Sequence, residues 1–80
     1  MAVDKIMERI STDPEVCEGK PHIKGTEVMV YQVLDLLASG VFPQEIASAR
    51  HFPQLTIDDV YLCVAYASQL VRKTKGAAVG

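Results

Sequence analysis

The segment from Thr56 to Lys73, "TIDDVYLCVAYASQLVRK", constrains the fold more than any other part of the chain. Threonine with an acid three residues later is a variant of the capping box, so this pattern predicts a long helix with Thr56 as N-cap and Asp59 as its partner. Its apolar side chains fall on two sides, one formed by Ile57, Val60, Tyr61, Val64 and Val71 and the other by Leu62, Tyr66 and Leu70. A helix that is apolar on nearly all sides must be covered on nearly all sides.

Two shorter helices are predicted upstream of this one. The stretch "VYQVLDLLAS" repeats apolar residues at helical spacing from Val30 to Val41, and Gly40 is placed to end the helix in a left-handed conformation. A second helix begins at Pro43, a favoured first position, and stops before Phe52 because Pro53 follows. Three helices with tight connections are typical of a helix-turn-helix domain.

The 80 residues are expected to form one domain over 1–80, with a helix-turn-helix core over 10–73 and flexible termini. Two short helices cannot cover both sides of the third helix. Because small domains often gain core by oligomerisation, we expect a homodimer whose interface includes Leu62, Tyr66 and Leu70. The alternative is that the N-terminal segment of the same chain folds over the third helix.

Composition bears on the partners and the cellular compartment of the protein. The formal net charge is -2 and the isoelectric point is about 5.5, which does not favour nucleic acid as a partner. Two widely spaced cysteines suggest a reducing, cytoplasmic compartment, although a single Cys17–Cys63 disulfide stays open. The first ten residues do not resemble a signal peptide, and the longest uncharged run, over 60–71, is too short to span a bilayer.

The stretch "CEGKPHIKGT", residues 17–26, carries the residue types of a chemical site. It is not a phosphate loop, because no lysine follows its second glycine. Its thiol and imidazole could form a dyad, but no orienting acid is evident. The cysteines and histidines of the chain do not have zinc-finger spacing, so the cysteines are expected as packed residues and both histidines as surface residues. We therefore expect no enzyme, no metal and no cofactor.

The same stretch is better explained as two turns. Gly19 and Gly25 stand where positive φ is expected, on either side of a short extended "PHI". Its lysines, Lys20 and Lys24, are candidates for contact with a partner or with nucleic acid.

DNA contact is a separate hypothesis. The turn "ARHFPQLT" before the third helix contains Arg50 and His51, which are candidate nucleic-acid or partner contacts. In a helix-turn-helix protein the third helix would enter the major groove with its N-terminal residues foremost. Asp58 and Asp59 stand at that end and would repel phosphates, which argues against ordinary operator binding.

Most of the chain resembles a known family. The run "ISTDPEVCEGKPHIKGTEVMVYQVLDLLASG", followed by P-x-E-I and "FPQLTIDDV", closely resembles domain-of-unknown-function family four-three-three from Ile10 to about Ala67. The most specific element is the family pattern D-P-x-[IV]-C-x-G-K-P-x-I-[RK]-G-T, which the chain matches. A departure is Glu27, which stands where the family usually has a basic residue.

The resemblance implies a mainly α, three-helix, homeodomain-like helix-turn-helix bundle preceded by a short β/turn segment. Some members are similar to VapB-type antitoxins, which would dimerise, bind a PIN-like ribonuclease toxin and repress their own operon. The expected function is therefore that of an antitoxin-like protein with possible operator binding. The alternative, favoured by Asp58, Asp59, Glu27 and the net charge, is a protein-interaction module of the same fold that does not bind DNA.

Overall fold

The computed structural model describes residue 6 and residues 8–73, and these form a small, mainly helical fold. A short β segment comes first, with β1 at Ile10–Ser11, a 3-10 turn at Cys17–Gly19 and β2 at His22–Ile23. Three helices follow, α1 at Val30–Ala38, α2 at Pro43–Ile46 and α3 at Ile57–Lys73. The prediction of three helices behind a short β/turn segment is confirmed.

The two strands form a small antiparallel sheet that brings the N-terminal segment onto the rest of the chain. Ile10 lies opposite Ile23 and Ser11 lies opposite His22. The backbone N–H of Lys24 donates to the carbonyl of Arg9 at 2.7 Å. The residues just before β1 are helical at positions 6, 8 and 9, and the backbone is extended from Ile10.

The turns before and after β2 confirm the role of their glycines, and the first of these turns adds an unexpected feature. Gly19 and Gly25 both have φ of 82°, as predicted. Cys17 and Glu18, with φ of 51° and 56°, are also left-handed. A left-handed conformation costs a residue with a side chain roughly 1–2 kcal/mol, so the backbone of this turn holds strain that the glycine alone would not create.

Helix α1 ends as its sequence predicts. Gly40 has φ of 92°, its N–H donates to the carbonyl of Leu37 at 3.0 Å, and the N–H of Val41 donates to that of Leu36 at 3.0 Å. These two bonds define a Schellman motif, which satisfies carbonyls that the end of the helix leaves open.

Helix α2 is shorter than Pro53 alone would require. It begins at Pro43 and ends at Ile46, whose side chain is fully buried. The Ser48 hydroxyl donates to the carbonyl of Glu45 and accepts the N–H of Arg50, so the chain turns here instead of continuing the helix.

The hydrophobic core lies between α3, the two shorter helices and the N-terminal segment. Its buried members include Ile6 and Ile10 together with Leu62 of α3. Leu62 is only 5% exposed, which corrects its assignment to a dimer interface. The N-terminal segment covers this side of α3, as the alternative interpretation proposed.

Candidate functional site

The beginning of α3 is closed by a reciprocal cap. The N–H of Thr56 donates to Asp59 Oδ2 at 3.0 Å, and the N–H of Asp59 donates to Thr56 Oγ1 at 3.1 Å. The predicted capping box is therefore confirmed, with aspartate in place of the commoner glutamate. Each bond provides an acceptor for a backbone N–H that would otherwise be unpaired at the start of the helix.

The same aspartate forms an ion pair that the sequence did not reveal. Arg9 donates from Nε to Asp59 Oδ1 at 2.9 Å and from Nη2 to Oδ2 at 3.0 Å, which is bidentate geometry. The partners are 50 positions apart, so no local spacing could have indicated the contact. This pair fixes the N-terminal segment against the first turn of α3.

The ion pair changes the pKa of Asp59, one of the two acids at this end of α3. Burial by itself raises the pKa of Asp59, but hydrogen bonds from Arg9 and Thr56 outweigh burial, so this pKa lies below its ordinary value. The hydrogen bond to Asp59 also raises the pKa of Arg9. Asp59 is thus a buried, paired carboxylate, 3% exposed, and only Asp58 faces outward of the two acids expected to repel a phosphate backbone.

On another side of α3, apolar side chains are exposed in a row. We call this side the outer face and define it by four residues and their exposed fractions: Ile57 (41%), Tyr61 (50%), Val64 (43%) and Val71 (62%). Their spacing of four, three and seven residues keeps them on one side of a helix. Val60, grouped with them in sequence, is instead fully buried. The exposed polar residue Ser68 lies between Val64 and Val71 on this side. A row of exposed apolar side chains of this kind is typical of an interaction surface.

A groove of about 180 Å³ lies on a different side of α3 from the outer face. Its walls come from the segment before α1, from α1 and from the second half of α3, and its lining residues are Lys20, Pro21, Val30, Tyr31, Leu34, Tyr66, Ala67 and Leu70. The groove therefore brings together Lys20, predicted as a partner or nucleic-acid contact, with Tyr66 and Leu70, predicted as dimer-interface residues. The Lys20 ammonium lies 5.9 Å from the centroid of the Tyr31 ring, within range of a cation–π contact.

The remaining predicted contact residues lie elsewhere. Lys24 is exposed and lines a different, shallow cleft beside the β segment. Arg50 is exposed in the turn between α2 and α3, where its Nη1 lies 3.6 Å from Glu45 Oε2. His51 follows it and is partly exposed. The four candidates for nucleic-acid or partner contact thus do not share one cavity.

One imidazole and one thiol of the chain, those of His22 and Cys63, are buried. His22 is only 2% exposed, contrary to the expected surface position, because its Nδ1 donates to the carbonyl of Lys20 at 2.9 Å within the β segment. Cys63 is fully buried, and burial, with a smaller contribution from the charge of Asp59, raises its pKa to about 12. Cys17 and Cys63 are both free thiols. Across residues 6 and 8–73, no three acidic, histidine or cysteine side chains are grouped so that they could hold a metal ion.

Comparison with known proteins gives one match. A family model described as "Protein of unknown function (DUF433)" matches residues 10–67, which is more than half of the chain. No curated protein and no solved structure matches the chain significantly. Within the described part of the chain, no helix combines the length and the apolar character needed to cross a membrane.

Proposed function

Because the chain belongs to the family described as protein of unknown function (DUF433), we propose a function from its surfaces: it is an antitoxin-like helix-turn-helix protein that dimerises and binds a PIN-like toxin. The observation that carries this proposal is the outer face of α3, where four large apolar side chains are each 41–62% exposed. Apolar surface of this extent in so small a domain is stabilised when another protein covers it.

The outer face suits a second copy of the chain. It is one side of a helix, so a two-fold axis would let the same residues of both copies meet. Its first residue, Ile57, lies next to the exposed carboxylate of Asp58, which keeps the rim of the surface polar while its centre is apolar. Dimerisation through this face leaves the groove, on a different side of α3, available for the toxin.

Operator binding is a second candidate function, and one observation favours it. Asp59 is held inward by Arg9, so the first turn of α3 presents one free carboxylate, Asp58, where the sequence suggested two. The neighbouring exposed side chains, Ile57 and Tyr61, are uncharged, and such residues contribute little to the phosphate contacts that dominate DNA affinity. We therefore propose protein binding as the main function and DNA binding as secondary.

Co-expression tests the main proposal. The chain is produced together with the product of the adjacent open reading frame, and the pair is analysed by size exclusion and by ribonuclease assay. We expect a stable complex in which the ribonuclease is inhibited. If the neighbour is not a PIN-like ribonuclease, or if it remains active and separate from this chain, the antitoxin proposal fails.

A mobility-shift assay tests the secondary proposal. The probe is the DNA upstream of the gene, and affinity is expected to fall steeply as salt rises, because binding releases counterions from the phosphates. Arg50→Gln removes an exposed cation before α3 and is expected to weaken the shift, with Lys73→Gln, which removes an exposed cation at the other end of α3, as a matched charge control. The absence of any shift at low salt would remove operator binding from the proposal.

A further inference from the structure

The groove is the right size for a side chain. Its volume of about 180 Å³ is below the range of roughly 300–1,000 Å³ typical of sites for small metabolites. Seven of its eight lining residues are apolar or aromatic, among them Val30, Leu34 and Leu70. These properties fit an apolar side chain inserted from a protein segment better than a polar small molecule.

One charge stands in the lining of this groove. Lys20 is exposed, and neither ion pair found among the described residues involves it, since those pairs join Arg9 to Asp59 and Arg50 to Glu45. Its ammonium lies over the Tyr31 ring, which holds a long, otherwise mobile side chain near the apolar surface. A ligand that fills the groove therefore meets a positive charge at a defined place.

We infer that the groove binds a protein segment that inserts an apolar side chain between α1 and α3 and sets an Asp or Glu against Lys20. This inference rests on the proposed function, because it gives the chemistry by which a partner such as the toxin would be recognised. Apolar contact supplies affinity, and the carboxylate supplies selectivity through complementary charge.

A second copy of this chain is the less favoured occupant. Tyr66 is five residues beyond Tyr61, which places the groove about 140° around the helix from the outer face. Insertion of one copy's outer face into the groove of another would be a head-to-tail contact, which produces open filaments unless the rotation happens to close. Groove and outer face are therefore expected to serve different partners.

Titration of the full ¹⁵N-labelled chain with two helical peptides tests this inference. The peptides share one Leu-rich sequence and differ only in a flanking residue, Glu in one and Lys in the other. We expect amide shifts at Tyr31, Leu34 and Tyr66 with the Glu peptide. Its affinity should exceed that of the Lys peptide about fivefold, since an exposed ion pair contributes up to about 1 kcal/mol.

The exposed site of Lys20 allows a charge-reversal control. Lys20→Glu should reverse the preference between the two peptides while leaving the fold intact. Any one of four results would overturn the inference. The two peptides could bind with equal affinity, or Lys20→Glu could fail to reverse the preference. The amide shifts could be confined to the outer face, or be absent at millimolar peptide. The titration uses neither toxin nor DNA, so its failure is distinguishable from failure to form the toxin complex. Growth of the chain into filaments would overturn the inference by identifying a second copy as the occupant of the groove.

Discussion

Two sides of α3 carry similar apolar side chains, but one side is covered by the chain and the other is exposed. On one side the N-terminal segment packs Ile6 and Ile10 into the same core as Leu62, and Arg9 pairs with Asp59. On the other side the outer face remains exposed, with Val64 at 43%. The difference lies in what the rest of the chain places opposite each side, which shows that apolar character alone does not identify an interface.

The largest expected effect is the difference in unfolding free energy between a truncation on the covered side of α3 and one on the outer face. Leu62→Ala should cost about 2–4 kcal/mol of unfolding free energy, because it leaves a cavity in the core. Val64→Ala, on the outer face, should stay within about 0.5 kcal/mol. Urea unfolding should be measured at a protein concentration low enough to dissociate dimers, since association would add apparent stability to the outer face. Equal costs for the two variants would contradict the division between covered and outer sides.

The neighbouring acids at the start of α3 sharpen the same comparison. Asp59→Asn weakens the cap and removes the ionic partner of Arg9, so we expect a loss of about 2 kcal/mol. Asp58→Asn, one residue away and exposed, should cost no more than about 0.5 kcal/mol. A pair of similar losses in urea unfolding would show that the ion pair does not hold the N-terminal segment in place.

The pH dependence of these variants isolates the carboxylate charge. The pKa of Asp59 is lower in the folded chain than the ordinary 3.8, so its stabilising contribution is fully present above that value and is lost as pH falls through the lower, folded value. The stability gap between the unaltered chain and Asp59→Asn should therefore be constant from pH 7 to about pH 5 and shrink below about pH 4. Urea unfolding over this range measures the gap, and a gap that widens in acid would contradict the assigned pairing.

The smallest perturbation is chemical labelling of the thiols. Cys63 is fully buried with a pKa of about 12, so it carries almost no thiolate at neutral pH, whereas Cys17 is partly exposed. A thiol reagent at neutral pH should modify Cys17 in the folded chain and both cysteines only in urea. Counting the modified thiols measures this. Rapid labelling of Cys63 in the folded state would show that the covered side of α3 opens readily.

Features encoded by a few neighbouring residues were predictable from the sequence. The capping box of Thr56 and Asp59, the end of α1 at Gly40 and the positive φ of Gly19 each depend on backbone groups within a few positions. Local hydrogen bonding and steric freedom are sufficient to determine such features.

Features that depend on distant contacts were not predictable in this way. The ion pair of Arg9 with Asp59 spans 50 positions, and the burial of Leu62 depends on where the N-terminal segment lies. Lys20 was predicted as a partner or nucleic-acid contact, and Tyr66 and Leu70 as dimer-interface residues, but the groove that they line was not predicted. Their meeting at one groove required the fold, since the periodicity of a single helix does not state what stands opposite it.

The central claim is that the outer face of α3 binds a second copy of the chain. Light scattering on the purified protein at tens of micromolar, a range in which weak dimers with about that Kd are populated, tests it most directly. The account predicts twice the 8.8 kDa chain mass for the unaltered protein and for the control Gln44→Glu at an exposed position of α2, but a single chain mass for a folded Val64→Glu. A monomeric unaltered protein, or a Val64→Glu variant that still dimerises, would contradict it.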